Sequence, residues 1–532
     1  MRRREFEAAA AALALAGLLP ARRALAGTDA ESLRVLSEAP PNSFDPIGIG
    51  VNRNAIQVHW NAYDRLVRFG TKPRPDGTLS YDYYAIEGEV AERHEISADQ
   101  RRITFHLRPD ATFHDGTPIT AEDVKWSLDR VVGLPIGKAQ FSTGSMTSAD
   151  QFEIIDSHTV QVTTPIPDRF TLPNFALTFP IIVNSTLAKA HATTADPWAS
   201  EWLKTNIAGG GPFKLENSVP GQHLLFSRFD AWKNGRPAAF RRVLWQVVPD
   251  AQTRVAVLER GDADVAQDLP PADIAALTSV KGVKVVGVPI EGAFQFIGMN
   301  TTQPPFDRLE VRQAIAYALP YEKMFDLALF RRGQPLFGGT PDVADSTNFP
   351  QPLGYNTDPA KARVLLAQAG YPNGFSTTLS FELSLARVAE PVSLLVQEAL
   401  AALGIKVTVN KVPAGQFGTL LQNKEAPFFF EESAAFLSDP DYFFRVFYDG
   451  PTRWNFASYH NPEFEALVAK TRFETERPAY DADVRRMIGL AKQEVPIILL
   501  WQPSLDTGML RSVDGYKYEF HRQLDFRTLK RG

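Results

Sequence analysis

RITFHLRPDATFHDGTPITAEDVKWSLDR, residues 102–130, is the stretch that decides how this chain reads. Ile103, Phe105 and Leu107 alternate with Thr104 and His106, the two-residue period of a strand with one buried face. His114-Asp115-Gly116 is a turn signal, because glycine takes a positive φ at little steric cost. Thr120 and Asp123 stand at capping-box spacing, so the sequence predicts a helix starting at Ala121. Val124, Ser127, Leu128 and Val131 form its inward stripe. The physics gives one strand–turn–helix unit.

Outward from this unit the chain reads as mixed strands and helices, with no short tandem repeat. Residues 32–37 are a strand leading into the loop Asn42-Ser43-Phe44-Asp45-Pro46. Residues 54–66 have helical spacing, and 159–163 form a short alternating strand. NIAGGGPFKL, residues 206–215, is a glycine-rich turn entering a strand, and 224–229 and 240–248 add two more. A new start follows residue 290. Residues 294–299 are strand-like, and PPFDRLEVRQA at 304–314 opens a helix whose stripe is Val311, Ala314, Ile315, Ala318 and Leu319. Asp358 as N-cap, Pro359 at the first helical position and Gly370 after the end frame another helix. A further helix ends at Gly404 before a strand at 405–409, and Asn461-Pro462 starts the next helix by the same cap logic.

At 532 residues the chain has room for three or four domain-sized units. After the N-terminus no run of eighteen apolar residues occurs, so no membrane span is expected. The N-terminus itself reads as an export signal. Arg2-Arg3-Arg4 precede an apolar run at 8–19, and Ala24-Leu25-Ala26 offers a cleavage site before Gly27. Arg3-Arg4-Glu5-Phe6 has the core spacing of a twin-arginine signal, although Glu7-Ala8 stands where Leu-Lys often follows, so the Sec route stays open. Residues 1–26 are therefore expected to be a signal peptide, and the mature protein periplasmic. Zero cysteines exclude disulfides, a lipidated cysteine anchor and thiol catalysis. Removing the signal's five Arg and two Glu takes the formal charge from −5 to −8, which argues against a nucleic-acid partner.

The words LRPDATFHDGTPITAEDV resemble the signature region of family 5 bacterial extracellular solute-binding proteins, the peptide and nickel receptors of ABC importers. NIAGGGPFKL and PPFDRLEVRQA resemble two further landmarks, and the resemblance covers nearly all of the mature chain. It implies an α/β, two-lobed periplasmic binding protein of the type II, large peptide-binding class, with an extra subdomain in lobe one. Mapped here, lobe one is 27–288 plus 497–532, with the subdomain at about 67–195, and lobe two is 289–496. The crossings between lobes fall near 286–294 and 494–501.

Enzyme signatures are missing. Gly144-Ser145-Met146 does not complete a nucleophile elbow. His94-Glu95 starts like a zincin helix, but residue 98 is Ala. Gly137-Lys138 is followed by Ala139 instead of the Ser/Thr of a phosphate loop, and Gly48-Ile49-Gly50 lacks the third glycine of a dinucleotide fingerprint, residue 53 being Arg. Nine His without paired spacing support no metal site. Carboxylate pairs such as Glu431-Glu432, or Asp439 with Asp441, are the remaining acid–base candidates, and Asp439-Pro440-Asp441 reads more simply as a cap and turn. The expectation is a binding protein without cofactor, metal or catalytic residues.

The resemblance also bears on the solute. Peptide-binding relatives commonly anchor the ligand's α-amine on an aspartate a few residues before an acidic-Pro dipeptide. Setting Asp439-Pro440 on that dipeptide puts Phe436 at the anchor, Ser433 where a Trp is often found, and Gly50 near an acidic position of the N-terminal loop. The expected solute is a peptide or peptide-like compound held by an altered anchor, with a modified peptide, an opine-like compound, an oligosaccharide and a metal chelate left open. The candidate pocket is Asn42, Phe44 and Asp45 from the N-terminal loop, Ala293, Phe294 and Gln295 at the first crossing, Ser433, Ala434 and Phe436 from lobe two, and Trp501 and Gln502 at the second crossing. Core packing accounts equally well for Phe294, Phe436 and Trp501, and a turn cap for Asp45. The expected partner is an inner-membrane ABC permease, docked by a monomer. The rival readings are a periplasmic hydrolase using the same cleft and a periplasmic chaperone or signalling receptor.

Overall fold

The unit at residues 102–130 forms as its pattern predicts. In the computed structural model the strand is Arg102–Leu107, with Ile103, Phe105 and Leu107 buried. Thr120 caps the helix Ala121–Gly133, and its backbone N–H and its hydroxyl donate to the Asp123 carboxylate at 3.1 and 2.8 Å. Val124, Ser127, Leu128 and Val131 are all buried. Gly116 holds φ +87° in the turn, where any side chain is strained. The structure describes residues 29–532 apart from 46, 49, 340–345, 451, 453 and 520–522. The expected signal peptide, residues 1–26, lies outside the described residues.

This strand belongs to a four-stranded antiparallel sheet in the order Ala91–Ile96, Arg102–Leu107, Thr159–Thr163, Phe152–Asp156. A three-stranded sheet beside it pairs Val67–Pro73 with Leu79–Gly88 and the tail strand Lys517–Tyr518.

The large sheet has twelve strands and one spine, Ile497–Leu510. The spine pairs with Ala293–Met299 over residues 497–501 and with Val283–Pro289 over 504–510. Beyond Ala293–Met299 lie Phe428–Ala434, Ser376–Glu382 and Lys406–Val412 in turn; beyond the other end of the spine lie Val265–Ala266, Ser32–Ser37, Arg242–Val247, His223–Arg228 and Phe213–Val219. The run Ile497-Ile498-Leu499-Leu500-Trp501 is apolar at every position because that part of the spine is buried on both faces. Ser376–Glu382 and Lys406–Val412 pair in parallel and are joined by the helix Ala386–Ala401, the long crossover that parallel pairing requires.

The C-terminal tail returns to the N-terminal part of the chain for a polar and an apolar reason. Arg527 bridges Glu89 at 3.0 Å and Asp525 at 2.8 Å, and Glu89 also takes Arg65 at 2.9 Å, all of them buried. Phe526 packs among Phe213, Phe226 and Trp245.

Two helices are shorter than their spacing. The helix predicted over 54–66 is Arg53–Ala62, and Tyr63 turns to an extended backbone. Asp64 then meets the Trp232 indole and the Asn234 amide at 3.0 and 2.6 Å, and Arg65 meets Glu89, contacts that a continuing helix would carry away. The helix opened by Pro304-Pro305 begins at Leu309. Among the described residues no helix is long and apolar enough to cross a membrane.

Candidate functional site

Three adjacent strands gather most of the residues expected in the pocket. Ala293 lies opposite Ala434, Phe294 opposite Ser433, and Gln295 between Glu432 on one side and Trp501 on the other. Side chains in register share a sheet face, and here they form a hydrogen-bonded file. The Trp501 indole N–H donates to the Gln295 carbonyl. The Gln295 amide donates to Glu432 Oε2 at 2.7 Å. Arg53, from the first turn of the helix Arg53–Ala62, reaches Glu432 Oε1 at 3.4 Å. The file thus ties the spine, the first crossing strand, the strand Phe428–Ala434 and an N-terminal helix together.

Glu431 points to the opposite face by strand alternation. Burial first, then the nearby charges of Glu382 and Glu432, push its carboxyl up to about 8. It is protonated at neutral pH, and the Glu432 backbone N–H donates to it at 2.9 Å.

Gln502, Phe294 and Trp501 are all buried. Gln502 donates to the Ile290 carbonyl at 3.2 Å and closes the bend of the first crossing. Phe294 is fully buried among Phe296, Phe443 and Phe447, and Trp501 beside Phe325. By strand alternation Phe294 packs on one face of the sheet and Trp501 on the other.

Asn42, Phe44 and Asp45 sit apart from the strands. Asn42 exchanges hydrogen bonds with Asn52, the N-cap of the helix that carries Arg53, so one helix turn separates them from the file. Asp45 is buried and holds Arg130 at 2.6 Å, both side chains nearly inaccessible. Phe44 is buried as well. Asn42 and Asp45 border a cavity of about 290 Å³ with Ser43, Val51, Leu134 and Lys204, and no residue of the three-strand file is in its wall.

A belt of contacts joins residues 140–179 to 436–480. The Phe436 ring meets Phe179 edge-on at 5.2 Å. The Tyr442 hydroxyl donates to Gln140 at 3.4 Å, and Arg445 to the Thr143 carbonyl at 3.2 Å, with its guanidinium 4.7 Å from the Phe170 ring. Arg472 donates to the Ser142 carbonyl at 3.0 Å and lies 3.6 Å from Asp168. Arg169 stacks 3.7 Å over Tyr480, whose hydroxyl donates to Asp439. Asp439 also accepts the Asp441 backbone N–H at 3.0 Å, the cap role its Asp-Pro-Asp setting suggests.

Sequence reasoning did not single out Arg53, Phe179, Arg445 or Arg472, and weighed Glu432 only as half of a carboxylate pair. No local signal marks them, because their partners in the contacts just described are 137 to 379 residues away. Among the described residues no three His, Asp or Glu side chains gather as metal ligands.

Two half-sheets on one shared spine, with a polar file at their junction, define a bilobal α/β binding protein. Residues 85–455 match the model of bacterial extracellular solute-binding proteins, family 5 middle, and the chain belongs to that family. It is 27% identical over 514 residues to the probable D,D-dipeptide-binding periplasmic protein DdpA of Escherichia coli (strain K12), covering 95% of each chain. It is 29% identical over 433 residues to the glutathione-binding protein GsiB of Pectobacterium atrosepticum, covering 79% of this chain and 80% of that one. Among solved structures, the PBP AgaA in complex with agropinic acid, from A. tumefacien R10, superposes with a TM-score of 0.73 at 26% identity, over 94% of this chain and 99% of that one.

Proposed function

We propose that this protein captures a small peptide or peptide-like solute between its lobes in the periplasm and delivers it, as a monomer, to the permease of an ABC importer. The observation that carries this reading is the family match over residues 85–455 together with the junction of the half-sheets at residues 293–295, 432–434 and 501–502. Clamps of this kind work by hinge closure, in which the solute selects the closed form by differential affinity. Relatives named for D,D-dipeptides, glutathione and agropinic acid support the solute class.

The hinge lies where the spine changes partner, at residues 502–503, next to Glu291-Gly292 of the first crossing. On this reading lobe one is 27–288 plus 497–532, with its subdomain at 67–195, and lobe two is 289–496. Residues 1–26 direct export, by the twin-arginine route. The pocket is formed by Gln295, Ser433, Ala434, Phe436 and Gln502 with the packed Ala293, Phe294 and Trp501, and with Asn42, Phe44 and Asp45 at the lobe-one end.

Native mass spectrometry of freshly purified mature protein tests the reading. The expected result is a stoichiometric small solute, released on unfolding and unchanged by prolonged incubation. A product appearing with time instead supports the hydrolase and overturns the receptor.

A further inference from the structure

Glu432 is the half-buried, oriented member of an ion pair whose other member is exposed. Its side chain is 16% exposed, whereas that of Arg53 is 50% exposed. One carboxylate oxygen is set by Gln295 at 2.7 Å, and Gln295 is itself held by the Trp501 indole in the core of the junction. The other oxygen meets Arg53 at 3.4 Å, a longer contact made by a long, half-exposed side chain from the helix Arg53–Ala62. A carboxylate oriented on one edge and met on the other by a reaching guanidinium is a cation site occupied by a residue of the chain itself.

The neighbouring carboxyl sharpens this. Glu431 stays protonated at neutral pH because it is shielded and lies near Glu382 and Glu432. Glu432 meets the Arg53 guanidinium on the opposite face, the one that carries Gln295 and Trp501.

We infer that Glu432 is the anchor for a cationic group of the solute, an ammonium or a guanidinium, and that Arg53 occupies that place until the solute displaces it. This rests on the solute-binding reading above. The anchor is one strand pairing beyond Ser433 and Phe294 on the side away from Gly292, so the cationic group docks at the end of the pocket away from the hinge and the body of the solute extends toward Phe436. An aromatic stands at 436, and the charge recognition is supplied four residues earlier.

Calorimetric titration with two matched probe pairs tests the anchor: Ala-Ala against N-acetyl-Ala-Ala, and N-acetyl-arginine against N-acetylcitrulline. In at least one pair the cationic member is expected to bind about tenfold tighter or more, as a charge-assisted hydrogen bond provides. Glu432→Gln, which keeps the shape and the Gln295 contact, is expected to erase that preference without shifting the melting temperature by more than a few degrees. Arg53→Ala is expected to hold or raise affinity for the cationic member. Equal binding within both pairs, a preference that survives Glu432→Gln, or weaker cation binding in Arg53→Ala each overturns the anchor. Native mass spectrometry separates the two levels. A co-purified solute with no cationic group sinks the anchor and leaves the receptor standing, whereas turnover of the probes sinks the receptor itself.

Discussion

Glu431 and Glu432 are adjacent in sequence and opposite in fate, because a strand sends successive side chains to opposite faces. The raised value of Glu431 is a statement about stability. Its folded value of about 8 lies above the ordinary 4.5, so between those values the folded state holds a proton that the unfolded chain has lost. Stability then falls as pH rises through that window, by at most about 1.4 kcal/mol per unit. Glu431→Gln removes the titration. The variant is expected to match the wild type near pH 5 and to exceed it by pH 8, as urea unfolding at the two pH values will read. Asp45 tells the complementary story. Its carboxylate is committed to Arg130 inside the protein. Asp45→Asn strands a buried guanidinium, and a loss of about 3–5 kcal/mol is expected in the same unfolding measurement. If affinity changes while stability does not, Asp45 contacts solute instead.

At the scale of elements, caps and periods decide local structure while pairing decides what the elements do. The helix Ala121–Gly133 is framed by a reciprocal cap at Thr120 and Asp123. Asp123 also receives the Ser185 backbone N–H and hydroxyl at 3.0 and 2.8 Å, so the cap doubles as a tether to the next helix. Thr120→Ala is expected to cost about 1 kcal/mol, the usual worth of an N-cap, and to leave solute affinity unchanged. The spine Ile497–Leu510 has no capping signal at all. Its fourteen residues pair with four strands: Ala293–Met299 and Gly333–Pro335 toward one end, Val283–Pro289 and Val265–Ala266 toward the other.

Across the whole molecule, a belt of contacts joins residues 140–179 to 436–480. It is made of arginines against carbonyls, carboxylates and rings, with two aromatic pairs, Phe170 with Tyr442 and Phe179 with Phe436. Such contacts reseal readily because little apolar area must be re-exposed to open them. Arg472→Ala removes the bond to Ser142 and the charge beside Asp168. In solution scattering without solute, the variant is expected to have a larger radius of gyration than the wild type, and saturating solute to bring the two together. Identical curves for both proteins without solute would show that the belt does not control closure. Phe436→Ala is expected to act in the same direction by removing the ring that meets Phe179.

The sequence by itself determined the local pieces and the class. The alternation at 103–107, the cap at Thr120, the Asp358 and Asn461 caps and the wording of residues 102–130 led to the α/β family and to most of the strands, because periodicity and capping depend only on neighbours. It also named the residues of the three-strand junction, through the resemblance that set 293–295 and 501–502 at the crossings and 433–434 in lobe two. Only the tertiary structure decided which of those residues have chemistry to offer. Phe294 and Trp501 went to packing, Asp45 to Arg130, and Glu432 to a file reaching 137 residues back to Gln295 and 379 to Arg53. A period tells which face of an element is buried. It does not tell what lies against that face, since that follows from closing the chain over hundreds of residues.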